Sequence, residues 1–541
     1  MKQTVSQRDS EPRGPIEVEV FRHLFTALAE EMGAALRKAA FSANIKERRD
    51  YSCALFSPEG DPIAQGDHMP VHLGAMPMSV AAALEALGPL SSGDVAVLND
   101  PFEGGTHLPD VTVLAPVVDG RGKRLGYVAA RAHHSDIGGM SPGSMPIARE
   151  IFQEGLRIPP VLLVQNGTPV REVWKLILAN VRTPEEREGD LEAQLGALHA
   201  GVRRLLEISN RVGVARLLSA QRQLLEYGDL MLREGIRHIP DGVWQAEDVL
   251  EGDGMTDDPI TIRAALTIAG DRVHIDFSGT DPQAPGGVNA VAAVTVSACR
   301  YVIRCVIEDL LGTPLLAGGG QMSALEVYLP PASVVNAAAP AAVAAGNVET
   351  SQRITDVLLR AFAGPLPDRM PALSQGTMNN VAMGGIDERT GQPFTYYETI
   401  GGGMGGGPDG AGLSGVHTHM SNTLNTPIEA LEHAYPLRVC RYAIVRGSGG
   451  AGQHPGGDGL QRDLELLSPA QITLWTERRH SGPDGRAGGE DGAPGENRLE
   501  LAGEARTLSA KTTFSAPSGA VVCITSPGGG GWGAVGASPG R

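Results

Sequence analysis

Between residues 16 and 40, apolar side chains fall at Val20, Phe21, Leu24, Phe25, Leu28, Met32 and Leu36, with acidic and basic residues between them. Spacings of three and four predict an amphipathic helix with one buried face. Pro77 and Gly88 bracket a second expected helix, proline suiting a first turn and glycine an exit. Thr183-Pro184-Glu185-Glu186 reads as a capping box opening a leucine-rich helical pattern that runs to about Gly235, broken near Gly213. Near residue 236 the pattern changes to strands. Arg272 to Phe277 alternates, so Val273, Ile275 and Phe277 face a core and His274 faces out. Residues 291–312 return to a helical pattern, with Cys299 and Cys305 expected as buried small residues. An alanine-rich link from Pro340 to Gly346 then leads into a helix over residues 351–362. The pattern predicts a mixed α/β chain of several subdomains. Residues 1–15 form a disordered tail, 16–235 a domain with long helices, 236–345 a β-rich middle, and 346–541 a glycine-rich C-terminal domain.

The strongest strand signal lies between Asn99 and Gly139. Apolar runs at 111–118 and 125–132 flank Asp119-Gly120, a pair that accepts the positive φ of a tight turn. With the turn near 120–122, antiparallel pairing sets positions 107–110 opposite 131–135. His107 and Asp110 then meet His133, His134 and Asp136. Imidazoles with a carboxylate suit a divalent metal such as Zn, Mn or Fe. The first domain is thus expected to carry a metal site on a β-hairpin.

Composition narrows the function. A formal charge of −17 over 541 residues argues against nucleic acid and anionic membranes as partners. Glycine, at 71 residues, is far above the average of ~7%. With 42% hydrophobic residues, that excess predicts turns and close backbone approaches, not disorder. Five scattered cysteines without a CxxC pair read as reduced thiols. Residues 1–15 lack the apolar stretch of a signal peptide, and no apolar run reaches membrane-spanning length. A soluble, cytoplasmic protein is expected. Gly401 to Gly407 contains GxGxxG, but Pro408-Asp409-Gly410 follows where a helix should open, so a dinucleotide fold is rejected. No GxxxxGK[ST] phosphate loop occurs.

Several motifs, in order, resemble the hydantoinase B/5-oxoprolinase family. They include Asn99-Asp100-Pro101-Phe102, Gly104-Gly105-Thr106-His107-Leu108-Pro109-Asp110 and His133-His134-Ser135-Asp136-Ile137-Gly138-Gly139. Further along come Gly346-Asn347-Val348-Glu349-Thr350-Ser351-Gln352, Gly415-Val416-His417-Thr418-His419-Met420 and the closing Pro527 to Gly533. The resemblance covers roughly residues 16 to 533. It implies a hydantoinase B-like fold and the metal-binding, B-type subunit of an ATP-dependent enzyme. That enzyme hydrolyses a cyclic amide: a hydantoin, an N-methylhydantoin, 5-oxoproline or another lactam. ATP is then used on a hydantoinase A-type ATP-binding subunit in a hetero-oligomer, where the amide is phosphorylated. The alternatives are the large subunit of an acetone carboxylase-type enzyme and a non-catalytic scaffold for the A-type partner.

The resemblance also implies site residues. In carboxylase relatives the metal is held by a His-x-x-Asp pair and a later histidine, which maps onto His107, Asp110 and His133 or His134. Register decides between the two. Pairing Asp110 with Arg131 puts His133 on the aspartate's face, whereas a one-residue slip favours His134. We take His133 as the ligand. His134, Asp136 and Asp100 are then expected to be catalytic, orienting a ligand or handling the proton of the activated water. His68 and His72 are four apart, a chelating spacing only on a helix, and Pro70 between them argues against one. They are expected to line the substrate pocket instead. His417 and His419 alternate, so on a strand both would face that pocket. Glu154 and Arg157 also stand where they could face a substrate.

Overall fold

The computed structural model describes residues 14–66, 69–315 and 322–536. Nearly all of the expected tail, and His68, lie outside the described residues. A seven-stranded antiparallel sheet occupies the N-terminal part: β1 (Tyr51–Phe56), β2 (Pro62–Gln65), β3 (Val95–Leu98), β4 (Asp110–Val118), β5 (Arg124–His133), β6 (Val161–Gln165) and β7 (Thr168–Pro169), in the order β2-β1-β5-β4-β3-β6-β7. The central strands β4 and β5 are buried on both faces, so they read as continuous apolar runs. Val113, Val128 and Ala130 pack on the side of the Pro15–Ala39 and Pro184–Val212 helices. Leu114, Tyr127 and Ala129 pack on the other side, against the Pro70–Leu87 helix. Gly201 permits the first arrangement, because a Cβ there would collide with Met32 and press on Val128.

The amphipathic helix expected from residue 16 is present as Pro15–Ala39. The leucine-rich pattern forms two helices, Pro184–Val212 and Val214–Ile236, parted at Gly213 with φ +89°. Thr183 does not cap the first, since its side chain makes no capping hydrogen bond. Glu186, the other half of the expected box, accepts instead from Ser135 Oγ at 2.9 Å. The second helix starts at Pro70, seven residues before Pro77, which lies inside it. Pro70 is an opening residue there, its fixed φ suiting the first turn, so it does not exclude a helix after it.

Three further sheets complete the chain. The first holds β8 (Gly242–Leu250), β9 (Ile260–Ala269), β10 (Arg272–Asp276) and β11 (Leu325–Tyr328), packed against the Ser351–Phe362 helix. Val273, Ile275 and Phe277 are buried as expected, and the Ala292–Leu311 helix buries Cys299 but leaves Cys305 exposed. The second pairs β12 (Asn380–Asp387), β13 (Gln392–Glu398), β16 (Ala470–Trp475) and β19 (Lys511–Ala516). The third pairs β14 (Leu437–Ile444), β15 (Leu460–Leu466), β17 (Glu496–Leu501), β18 (Glu504–Thr507) and β20 (Val521–Thr525). The main hydrophobic core runs without a break from Phe21 to Trp475. No helix among the described residues is long and apolar enough to cross a membrane.

The glycine-rich segments interleave. Gly403 N donates to Pro527 O at 2.9 Å, Gly457 N to Met404 O at 2.8 Å and Gly529 N to Gly457 O at 2.9 Å. A Cβ on Gly403 would collide with Gly457 and Gly529 backbone, so these strands of chain meet only as glycine. No helix follows Gly407, which agrees with rejecting a dinucleotide fold. Gly402 also pairs with Val416 through two 2.9 Å backbone bonds, fixing the start of residues 417–427.

A buried ion network fastens the sheets together. Arg353 donates to Asp248 of β8 at 2.9 Å and to Glu477, just after β16, at 3.0 Å. Glu477 also pairs with Lys511 of β19, and Arg478 bonds both Asp248 and Asp356. Removing one member strands a buried charge, which costs about 3–5 kcal/mol. Arg353→Met should therefore lower the unfolding free energy obtained from urea titration by an amount of that order, shifting the midpoint down, while leaving far-UV circular dichroism unchanged. An unchanged midpoint would mean that the network adds nothing to stability.

Candidate metal centre

The β4–β5 hairpin pairs Asp110 directly with His133, with one bulge beside the turn at Val117/Val118. Residues opposite each other share a face, so the carboxylate and the imidazole point the same way. This register has the parity that selects His133 over His134. His107 joins from the loop before β4. His107 Nε2 lies 3.2 Å from both His133 Nδ1 and Asp110 Oδ1, and His133 Nδ1 lies 3.3 Å from Asp110 Oδ1. Ligands held at about 2.1 Å from one ion stand roughly this far apart. Among the described residues, these three form the one histidine/carboxylate group close enough to hold a metal ion.

The donors are prepared for that task. His107 Nδ1 donates to Ala344 O at 3.1 Å, so Nε2 is the atom that faces the cluster. Burial lowers the ring's pKa, but the charge and hydrogen bond of Asp110 outweigh it and raise it, and a bound ion would take the place of the Nε2 proton. Burial pushes the Asp110 carboxyl up, but the charges of His107 and His72 and hydrogen bonds from His107 and His133 outweigh it. The carboxyl is held well below the usual range. Thr106 Oγ1 donates to Asp110 Oδ2 at 2.7 Å, Asn347 Nδ2 does so at 3.3 Å, and His72 Nε2 stands 3.4 Å away. His133 stacks on the Tyr397 ring at 4.2 Å, and its burial lowers its pKa, keeping it neutral. A neutral imidazole is the form that binds metal. The residues present therefore fit a divalent ion held by His107, Asp110 and His133.

A narrow cleft opens beside the cluster, with room for little more than a water. Asp50, His72, Asp110, His133, Asn347 and Tyr397 line it. Thr399, Ser421 and Thr423 line it too, the last two from a stretch without helix or strand over 421–427. Their hydroxyls are linked. Arg48 Nη2 donates to Thr399 at 2.8 Å, Thr399 pairs with Thr423 at 2.9 Å, and His417 touches Ser421 at 2.9 Å and Thr423 at 3.3 Å. Burial, with the Arg48 charge, lowers the His417 pKa to about 3, so the wall is neutral there.

Other expected residues stand elsewhere. His134 points to the opposite side of the hairpin, its Nε2 3.0 Å from Gln194 Oε1, because adjacent strand residues face opposite ways. Burial and the Arg187 charge lower its pKa to about 4. Asp136 is taken up by Arg182 and by the backbone N–H groups of Gly138, Gly143 and Arg182, which shape its own loop. Asp100 accepts from Phe102 N at 3.0 Å and ion-pairs with Arg157 at 2.7 Å, so neither of that pair faces the cleft. These placements give His134, Asp136 and Asp100 structural partners and no contact with the cluster. His72 does reach it, from the first turn of the Pro70–Leu87 helix. His417 and His419 are not on a strand, since residue 419 turns into a left-handed conformation at φ +57°. His417 therefore stands behind the hydroxyl wall, and His419 turns to Tyr301.

Asn347, Tyr397, Thr399, Ser421 and Thr423 escape a reading of the sequence alone. Asn347 lies inside a family motif, and Ser421 and Thr423 sit just after His417, so proximity to those motifs is the one signal that points to them. Glu154 is buried beneath the site. Its Oε1 accepts from Val343 N and Ala344 N, and the Ala344 carbonyl is the group that orients His107.

Among known proteins, the family model described as Hydantoinase B/oxoprolinase matches residues 14–535. Uncharacterized protein MJ0963 of Methanocaldococcus jannaschii is 40% identical, over 96% of this chain and 90% of its own length. 5-oxoprolinase 1 of Arabidopsis thaliana is 37% identical over 96% of this chain, which spans only 42% of that protein. A putative D-/L-hydantoinase subunit of the B type, from a Pseudomonas species, is 28% identical over 96% of this chain and 90% of its own. Among solved structures, the ATP-dependent caprolactamase of Pseudomonas jessenii superposes with TM-score 0.88 at 28% identity, covering 96% and 91% of the two chains. Acetone carboxylase shares the fold, with TM-score 0.84 at 19% identity over 96% of this chain and 76% of that one.

Two measurements probe this centre. A folded His107→Ala, Asp110→Ala double variant should lose bound metal by elemental analysis, and stoichiometric metal in it would place the site elsewhere. Glu154 supplies a pH test. Burial pushes its carboxyl up to about 8, against the two backbone N–H groups. From about pH 4.5 to 8 the unfolded chain releases this proton while the folded chain keeps it, so stability falls as pH rises through that window. Glu154→Gln should flatten the fall, by on the order of a few kcal/mol between the unfolding free energies from urea titration at pH 5 and 8. An unaltered slope would show that Glu154 is ionised in the folded chain.

Proposed function

This chain belongs to the hydantoinase B/oxoprolinase family, and on that premise we propose that it is the metal-binding, B-type subunit of an ATP-dependent hydrolase of small cyclic amides. The observation that carries the reading is the buried His107–Asp110–His133 cluster opening on a narrow cleft. An unstrained cyclic amide is a poor electrophile with a poor leaving group, so it needs activation before water adds. ATP supplies that on an A-type partner, by phosphorylation of the amide oxygen. Two features support the partner: this sequence has no phosphate loop, and the Pseudomonas hydantoinase relative, itself named as a subunit, matches it over 96% of this chain and 90% of its own. The long helices at 184–236 are the surfaces we assign to assembly. Five free cysteines fit a reducing cytoplasm.

Within this chain each residue has a task. His107, Asp110 and His133 would hold the ion, which when bound supplies a Lewis acid for water and carbonyl oxygen. Ala344 O keeps His107 in the tautomer that presents Nε2. His72, Thr106 and Asn347 hold the Asp110 carboxylate in place, and Tyr397 keeps the His133 ring from rotating. Thr399, Ser421 and Thr423 offer hydroxyl hydrogen bonds to a ring oxygen, backed by Arg48 and the neutral His417. Exclusion of bulk water protects an activated ester-like intermediate from loss in solution. Across the cycle ATP becomes ADP and phosphate, and the broken C–N bond takes up the elements of water.

The chain reconstituted with an A-type partner should turn over ATP with a hydantoin or lactam and yield the ring-opened acid. Bicarbonate-dependent consumption of a ketone, with every cyclic amide inert, would overturn the reading. The isolated metal-loaded chain should show no micromolar ATP binding by calorimetry, and such binding would move the nucleotide site onto this chain.

A further inference from the structure

Resting on the reading just given, we propose that Asn347 selects the substrate at its ring nitrogen: its side-chain oxygen accepts the N–H of a secondary cyclic amide, and a ring alkylated at that nitrogen is refused. Asn347 lies in a π-helical turn, Gly346–Thr350, that leads into the Ser351–Phe362 helix. Such turns are rare and concentrate at functional sites. This one is rigidly seated, because a Cβ on Gly346 would collide with the backbone of Asn289 and Ala290. It sets Asn347, itself buried, on the cleft wall between Asp110 and Val348.

Chemistry fixes which way the amide group faces. Nδ2 donates to Asp110 Oδ2 at 3.3 Å. A carboxylate only accepts, so turning the amide over would set oxygen against oxygen. Oδ1 is therefore the free end, and it has no hydrogen-bond partner among the described residues. A buried acceptor without a donor is costly, and it calls for a donor from whatever fills the cleft. The hydroxyls of Thr399, Ser421 and Thr423 contact one another, Arg48 and His417, and none of them bonds Oδ1. When the amide oxygen takes the phosphoryl group, the ring nitrogen of a secondary amide still carries its hydrogen as a protonated imidate, and that N–H is the donor that Oδ1 lacks. Access requires the cleft to widen, since it admits little more than a water. The same contact favours a protonated ring nitrogen, the form in which the amine leaves.

The test compares 2-pyrrolidinone with N-methyl-2-pyrrolidinone, titrated into the metal-loaded full chain and followed by ligand-observed NMR. The wild-type chain should bind the N–H ring at least about tenfold more tightly, since a site built to pair an N–H rejects the analogue lacking it. Asn347→Ala, with metal content and circular dichroism unchanged, should bind both rings alike. Equal binding of the two rings by wild type, binding of neither, or an undiminished preference in Asn347→Ala would each overturn the proposal. The wild-type comparison stands even if the variant does not fold. Failure of the hydrolytic reading is seen separately, as no ATP-dependent ring opening by the reconstituted pair, and a surviving tenfold preference would still support N–H recognition.

Discussion

A carboxylate closed off from water must be compensated at each oxygen or give up its charge. Asp110 meets that demand, and the surrounding architecture is arranged by it. One oxygen faces His107 and His133, and the other faces Thr106, His72 and Asn347. Those partners come from the loop before β4, the end of β5, the Pro70–Leu87 helix and the turn entering the Ser351–Phe362 helix. A single buried charge thus obliges the N-terminal sheet and the later helices to meet at one point. The continuous core from Phe21 to Trp475 is the apolar side of the same convergence.

Much of this is legible in the chain, for reasons that differ by element. The hairpin is readable because Asp119-Gly120 has few alternatives to a turn, and two long apolar runs leave one economical pairing. Parity then follows from the pleat, so the choice of His133 needs only the right register. The long helices declare themselves by period, and Gly213 marks their break because no other residue type adopts its φ so readily.

What escapes such a reading depends on contacts far apart in sequence. His134 and Asp136 sit in the same motif as His133, yet Gln194 and Arg182 claim them from sixty and forty-six residues away. Thr183 has the look of a cap, but Ser135 takes Glu186 out of the box. Pro70 has the look of a breaker, but its position makes it an opener. Asn347 is visible as a motif residue, whereas its orientation is set by Asp110, 237 residues earlier. Local pattern carries no information about such partners.

The interleaved glycines also set an order on biosynthesis. Chains emerge and fold from the N-terminus onward, so the hairpin bearing His107, Asp110 and His133 can form while the later half is still being made. The outer wall of the cleft cannot. Residues 417–427 begin at Val416, which leans on Gly402, and Gly403 and Gly406 are secured by Pro527 and Gly530. Until the ribosome has delivered residue 530, the backbone that fixes the start of that wall lacks its last partners. A nascent chain of this kind could thus bring His107, Asp110 and His133 together well before the cleft beside them is complete.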